Sequence, residues 1–127
     1  MAYLLLVRRT RLSKQLNMKK VFRSSRDVII QTDNWHKAIE FYESILGFPI
    51  IHRSPDLIGF ETGAFCLYVE KGNRAGPVFD FLVPDMQGTK DRLLAAGCTV
   101  VEENPVVPRC YIRDPFGLTF NIEQTEG

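Results

Sequence analysis

Two glycines, Gly47 and Gly97, stand 50 positions apart, and each follows a run patterned for a helix. Ahead of the first run lies Val28-Ile29-Ile30, a β-branched strand signal, with Asp33 or Asn34 offering a side-chain oxygen as a helix cap. Ala38, Phe41, Tyr42, Ile45 and Leu46 then fall on one helical face. The second run repeats this order with a strand at 78–83, a cap at Asp85, and a sparser stripe of Met86, Leu93 and Leu94. Asn34 to Gly47 is 13 positions and Asp85 to Gly97 is 12. Repetition at this scale leaves few folds open: one supersecondary unit is present twice.

Three strand-like runs follow each helix. They are 48–53, 57–61 and 65–69 in the first copy, and 98–102, 110–113 and 118–124 in the second. Ser54-Pro55-Asp56 and Thr62-Gly63 are sensible turns, and Pro105 and Pro108 loosen the connection in the second copy. Residues 71–77 form the linker between copies. The fold class is α+β: two βαβββ modules, 21–72 and 77–124, forming a curved mixed sheet around a cleft, with helices on the outer face. At 127 residues there is room for one such domain, spanning 21–127.

Period-two alternation sorts the strand residues between the two sheet faces. Val28, Ile30, Phe79, Phe81, Val83, Leu118, Phe120 and Ile122 are expected under the helices. Asp27, Ile29, Gln31, Val78, Asp80, Leu82, Thr119, Asn121 and Glu123 are expected in the cup, a concave face suited to a small molecule. Cys66 and Tyr68 alternate with Phe65, Leu67 and Val69, and so line the cleft from the first module. Arg109 and Tyr111 share a face opposite Ile112, where a cation and a phenol suit a carboxylate or phosphate. Arg113 has the same parity, or else supports the turn at Asp114. Asp27 beside Asn121 serves as an acid–base pair, or holds a polar ligand group, or is simply solvated. Trp35 offers a stacking surface for a planar ligand, or packs against a strand or partner subunit.

Charge is unevenly spread. Residues 1–26 carry eight basic groups and no acid, so the remainder holds eight basic groups against all 15 acidic ones. So acidic a body repels phosphate backbones, which argues against nucleic-acid binding. The five-residue apolar run at 3–7 precedes its charges, unlike a secretory signal, and no run is long enough to cross a bilayer. Residues 1–20 are expected to be a basic leader that contributes little to the fold, and Met18-Lys19-Lys20 resembles a bacterial start. A cytoplasmic location is expected, with no membrane partner. Three cysteines, Cys66, Cys98 and Cys110, are too few for a disulfide scaffold, and two histidines cannot build a Ser-His-Asp triad.

The run Ala38-Ile39-Glu40-Phe41-Tyr42-Glu43-Ser44-Ile45-Leu46-Gly47-Phe48 resembles a helix end of the vicinal oxygen chelate superfamily, which includes glyoxalase I, bleomycin-resistance proteins, fosfomycin-resistance enzymes and extradiol dioxygenases. Asp114-Pro115-Phe116-Gly117-Leu118-Thr119-Phe120 resembles the turn before its last strand. The resemblance spans 27–124 and implies a homodimer completing two shared clefts. Catalytic members hold a divalent metal through His or Gln, Glu, His and Glu. Those positions fall here on Asp27, near Cys66, on Val78 and on Asn121, a set such ions do not prefer. A one-residue slip brings in Glu70 or Glu123, but it cannot make Val78 a ligand. His36 and His52 sit elsewhere. No metal and no cofactor are expected.

The favoured function is therefore metal-independent binding of a small organic molecule, similar to the bleomycin-resistance branch, through Asp27, Gln31, Trp35, Cys66, Tyr68, Asp80, Arg109, Tyr111, Asn121 and Glu123. Asp27, Asp80 and Glu123 suit a partly cationic ligand, and Arg109 adds some anionic character. The alternative is a metal-dependent lyase, isomerase or dioxygenase using Asp27, Asn121 and Glu123. Whether any reaction is catalysed stays open.

Overall fold

A computed structural model describes residues 22–106 and 109–125. The expected leader and Pro108 lie outside them. Eight strands form one open, curved sheet: β1 (Arg23–Thr32), β2 (Ile50–Arg53), β3 (Leu57–Glu61), β4 (Cys66–Lys71), β5 (Ala75–Val83), β6 (Thr99–Asn104), β7 (Arg109–Arg113) and β8 (Thr119–Gln124). Helix α1 (Trp35–Glu40) runs on into a π-helical turn (Phe41–Ile45), and α2 (Met86–Ala95) is its counterpart in the second copy.

The strand order β2-β3-β4-β1-β5-β8-β7-β6 is the duplication made visible. Each half reads outward from its own first strand. β1 pairs parallel to β4, as β5 does to β8, and β1 joins β5 antiparallel at the seam. The linker is shorter than expected. Ala75 already pairs with Gln31, so only 72–74 lie between β4 and β5.

The helix side carries two cores, one per module. Ile58, Phe60, Leu67 and Val69 are buried with Trp35, Ala38, Ile39 and Tyr42 against them. Val83, Cys98, Cys110, Ile112, Phe120 and Ile122 are buried beneath Met86 and Leu93. Alternation thus gave the correct inner face on β1, on β5 and for Phe120 and Ile122 on β8, whereas Leu118, also expected under the helices, precedes β8 and is 37% exposed.

The α1 stripe departs from expectation. Ala38 and Tyr42 pack inward, but Phe41, Ile45 and Leu46 are exposed, Ile45 at 70%. The amide of Leu46 reaches back five residues to the Phe41 carbonyl, at 3.0 Å. That wider turn shifts the helical phase, carrying the last apolar residues off the sheet. Leu94 is likewise 40% exposed on α2. Asp85 caps α2 as expected, accepting from the Gly88 amide at 3.2 Å. Neither Asp33 nor Asn34 caps α1 in this way: Asn34 holds the cap position without a side-chain bond, and its amide donates to Thr32 Oγ1. Gly47 and Gly97 take φ of +74° and +102°, the left-handed geometry that a side chain resists.

Candidate functional site

The face turned away from the helices is a genuine hollow, and one contact proves its depth. Arg109 on β7 donates to both carboxylate oxygens of Glu70 on β4, at 3.0 and 3.2 Å. Four inter-strand steps separate these strands, roughly 19 Å across a flat sheet at about 4.8 Å per step. Side chains meet over that span only because the sheet curls. Arg109 also donates to Glu102 at 2.8 Å, and Gln31 Nε2 donates to Glu70 at 2.6 Å. Its guanidinium lies over the Tyr111 ring, 4.9 Å from the centroid. Burial works against the charge on Arg109, but hydrogen bonds to Glu102 and Glu70 outweigh it and hold the pKa above its ordinary value.

One cavity of about 290 Å³ is lined by Asp27, Tyr68, Asp80, Arg109, Asn121 and Glu123. These are six of the ten residues expected to bind. Ile29, Leu57 and Glu70 complete the lining. Alternation from Tyr68 along β4 marks Glu70 for the same face, so the signal was present; Leu57 needed the curl. Asp80 is only 4% exposed. Asn121 Nδ2 donates to its carboxylate at 2.9 Å, while Asn121 Oδ1 accepts from the Cys110 amide at 2.8 Å. Asn121 is therefore a fixed bracket that aims Asp80.

The acids crowd one another. Burial raises the pKa of Glu123, and its hydrogen bond to Asp80 and the charges of Asp80 and Asp27 push the same way. Asp27 is raised by burial and then by Asp80, against the pull of Arg26. An irregularity in β1 between Ser24 and Val28 sets how Asp27 presents itself. The Tyr68 phenol is raised by burial and by Asp27, so it stays protonated at neutral pH. Its ring fits because Gly59 lies opposite on β3, where a Cβ would stand 2.7 Å from Tyr68 Cε1.

The remaining four expected residues go elsewhere. Gln31 and Tyr111 line a second cavity of about 370 Å³ in the hollow, with Val78, Arg113 and Thr119. Cys66 is buried beside Asp27 in the register and lines neither cavity. Trp35 is on the other side of the sheet. Its indole donates to the Val69 carbonyl at 3.2 Å, its ring packs on the first core, and Lys71 sits over it at 4.5 Å. Satisfying the indole N–H inside the module, at an anchor that the α1 start supplies, draws Trp35 away from the hollow. The larger cavity of about 600 Å³ is also on the helix side, between Tyr42, Phe48, Leu67 and Phe79. Its walls are mostly hydrocarbon, and the rim cation Arg26 is bound by Glu61 at 2.6 Å.

The donor set does not fit the metal that the resemblance implies. Among the described residues, no three His, Cys, Asp or Glu side chains gather closely enough to hold an ion. His36 packs edge-on against Trp35, and His52 lies beside Tyr68, its ring 6.3 Å away. Neither lines the cavity. Val78 faces the second cavity, while Asp80 takes the place beside Asp27.

The hollow, its two modules and the turn motifs agree with comparisons to known proteins. The family model of the glyoxalase-like domain matches residues 27–123. No curated protein matches the sequence. A hypothetical protein of Bacillus halodurans C-125 superposes with a TM-score of 0.61 at 8% identity, over 85% of this chain and 97% of its own. A glyoxalase/bleomycin resistance protein/dioxygenase superfamily member from Vibrio splendidus 12B01 gives 0.56 at 14% identity, over 83% and 100%. Methylmalonyl-CoA epimerase from Mycobacterium tuberculosis gives 0.59 at 14%, over 87% and 93%. At such identities the structures share a fold, and chemistry has to be argued from the cup itself. The chain belongs to the glyoxalase-like domain family.

Proposed function

We propose that this protein binds a small organic molecule in the hollow without a metal, and that the 290 Å³ cavity receives the ligand's cationic group. One observation carries the reading. Asp27, Asp80 and Glu123 face the same cavity, and the one cation lining it, Arg109, is already held by Glu70 and Glu102. An ammonium or guanidinium entering there offsets the burial and the mutual repulsion that raise Glu123 and Asp27. Asn121 keeps Asp80 aimed, and the Tyr68 hydroxyl adds a neutral donor.

The test is thermal shift and calorimetry with small primary amines, guanidines and their uncharged analogues. Saturable stabilisation by the cations, weakened at least tenfold in Glu123→Gln, supports the reading. Stoichiometric Fe, Mn, Ni or Zn in purified protein, lost in Asp27→Ala, would replace it with a metal-dependent lyase, isomerase or dioxygenase. A sequestering role of the bleomycin-resistance kind belongs to the same proposal and predicts recovery of unchanged ligand.

The homodimer is also proposed. The hollow is built from one chain, so a partner need not complete it; exposed Phe41, Ile45 and Leu46 are one apolar surface available to a second copy. Light scattering of the wild type and of Ile45→Glu checks this. The three free thiols, Cys66, Cys98 and Cys110, support a reducing, cytoplasmic location. No described helix is long and apolar enough to cross a membrane.

A further inference from the structure

One hydrogen-bonded network stands between the two cavities of the hollow. Arg109 and Glu70 line the acidic cavity. Gln31, Glu102 and Tyr111, which contact that pair, line the cavity of about 370 Å³. Gln31 Nε2 donates to Glu70 at 2.6 Å, Arg109 donates to Glu102 at 2.8 Å, and the guanidinium lies over the Tyr111 ring. The bridge from Arg109 to Glu70, at 3.0 and 3.2 Å, is therefore a strap across the hollow with one cavity on either side. The cavities follow one another along the strands. On β1, Asp27 and Ile29 face the first and Gln31 the second; on β8, Asn121 and Glu123 face the first and Thr119 the second. Asp27 to Gln31 is four residues, about 13 Å of strand.

The strap can part without orphaning either charge. Both contacts to Glu70 come from one guanidinium nitrogen, Nη2, while Nη1 holds Glu102. When Arg109 releases Glu70 it keeps Glu102 and the Tyr111 face, and Glu70 keeps the Gln31 amide. An unpaired buried charge is what ordinarily holds such a bridge shut, and here each partner has a second one.

We propose that the strap is a gate and that the ligand of the acidic cavity is an elongated amine: its ammonium sits among Asp27, Asp80 and Glu123, and its apolar arm passes the parted strap into the second cavity. The proposal rests on the acidic-cavity reading and adds the arm to it. Pro77, Val78, Val101 and Leu118 give the second cavity hydrocarbon walls, where burial of the arm offsets the lost bridge. Glu102 and Arg113 in the same lining are opposite in sign, which leaves no net charge to recruit a second ionised group.

The probes are ethylamine, octylamine and octan-1-ol, titrated by calorimetry into the full chain at neutral pH. Octylamine is expected to bind saturably, and at least tenfold more tightly than either ethylamine or octan-1-ol. Glu70→Gln weakens the strap and should raise the ratio of octylamine to ethylamine affinity at least threefold; the ratio cancels whatever charge Glu70 itself lends the ammonium. Glu102→Gln leaves Arg109 with Glu70 as its carboxylate, holds the strap shut, and should lower the same ratio at least threefold. Glu102 is 46% exposed, so this variant folds even if loss of the Glu70 charge destabilises the sheet. Octylamine no tighter than ethylamine overturns the gate and leaves the acidic cavity standing. So does a ratio unmoved in Glu102→Gln or in folded Glu70→Gln. Absence of saturable binding by either amine, or octan-1-ol bound as tightly as octylamine, overturns both readings.

Discussion

Replacing Arg109 by Met tests the curl of the sheet directly. Met keeps part of the apolar stem and removes the charge that spans the hollow. Arg109 and Glu70 side chains are 18% and 23% exposed, while Glu102 is 46% exposed. An exposed pair contributes about 0.2–1 kcal/mol, and breaking a fully buried one costs about 3–5 kcal/mol. The Glu70 arm falls between these limits, at roughly 2 kcal/mol. The Glu102 arm belongs near the exposed limit, at about 0.5 kcal/mol. Loss of the cation over Tyr111 adds about 0.5 kcal/mol. The total is about 3 kcal/mol, a fall in melting temperature of about 12 °C or more for a domain of this size.

Urea denaturation of Arg109→Met, Glu70→Gln and the double variant closes a mutant cycle. A coupling of about 1–2 kcal/mol is expected, with most of it surviving 1 M salt because the pair is partly buried. A coupling below about 0.5 kcal/mol would mean that β4 and β7 do not face each other across a hollow. The acidic cavity would then lose its geometry.

Asn121→Ala leaves Asp80 and the Cys110 amide without their shared partner, and should cost about 3 kcal/mol in chemical denaturation while weakening amine binding. Gly59→Ala sets a Cβ 2.7 Å from Tyr68 Cε1 and 3.1 Å from His52 Cβ; overpacking of this kind costs about 1–3 kcal/mol and should displace the phenol from the cavity. Because Glu123 and Asp27 are raised in the folded state, that state holds their protons more tightly than the unfolded chain does. Their contribution to stability is therefore lost as pH rises from the ordinary carboxylate range through the raised values. Denaturation of Glu123→Gln across that window should show a shallower loss than the wild type, and an unchanged slope would contradict the crowding.

The order of elements was legible because turn glycines and helix caps are local chemistry. Face assignment on the strands was legible for the same reason: alternation is a property of the extended chain, and it placed Asp27, Tyr68, Asp80, Asn121 and Glu123 together correctly. What alternation lacks is a statement of which distant strands meet. Arg109 and Glu70 are 39 residues apart, and only the curvature makes them neighbours. The same ignorance hid Leu57 and split Tyr111 and Gln31 from the acidic group. Trp35, expected either to stack on a ligand or to pack on a strand, is left undecided by the sequence for another reason. A helix start is adjacent to both faces of a sheet, and the indole N–H settled the matter by finding the Val69 carbonyl. The exposed end of the α1 stripe followed from a change of helical pitch that apolar spacing does not encode.

The two faces of this sheet are under different physical constraints. On the helix side, Phe60, Ile112, Ile122, Val69 and Val83 are fully buried, so a change of one methylene there is felt as a cavity or a clash. Cup positions answer mainly to polar satisfaction and to whatever occupies the hollow. A duplicated unit can therefore keep its packing while its concave face drifts, producing an acidic cavity on an apolar scaffold. Substitution of Asp27 by Asn or of Glu123 by Gln should then move ligand preference far more than melting temperature. Substitution of Ile122 by Val should do the reverse, costing about 1 kcal/mol and leaving amine binding in place.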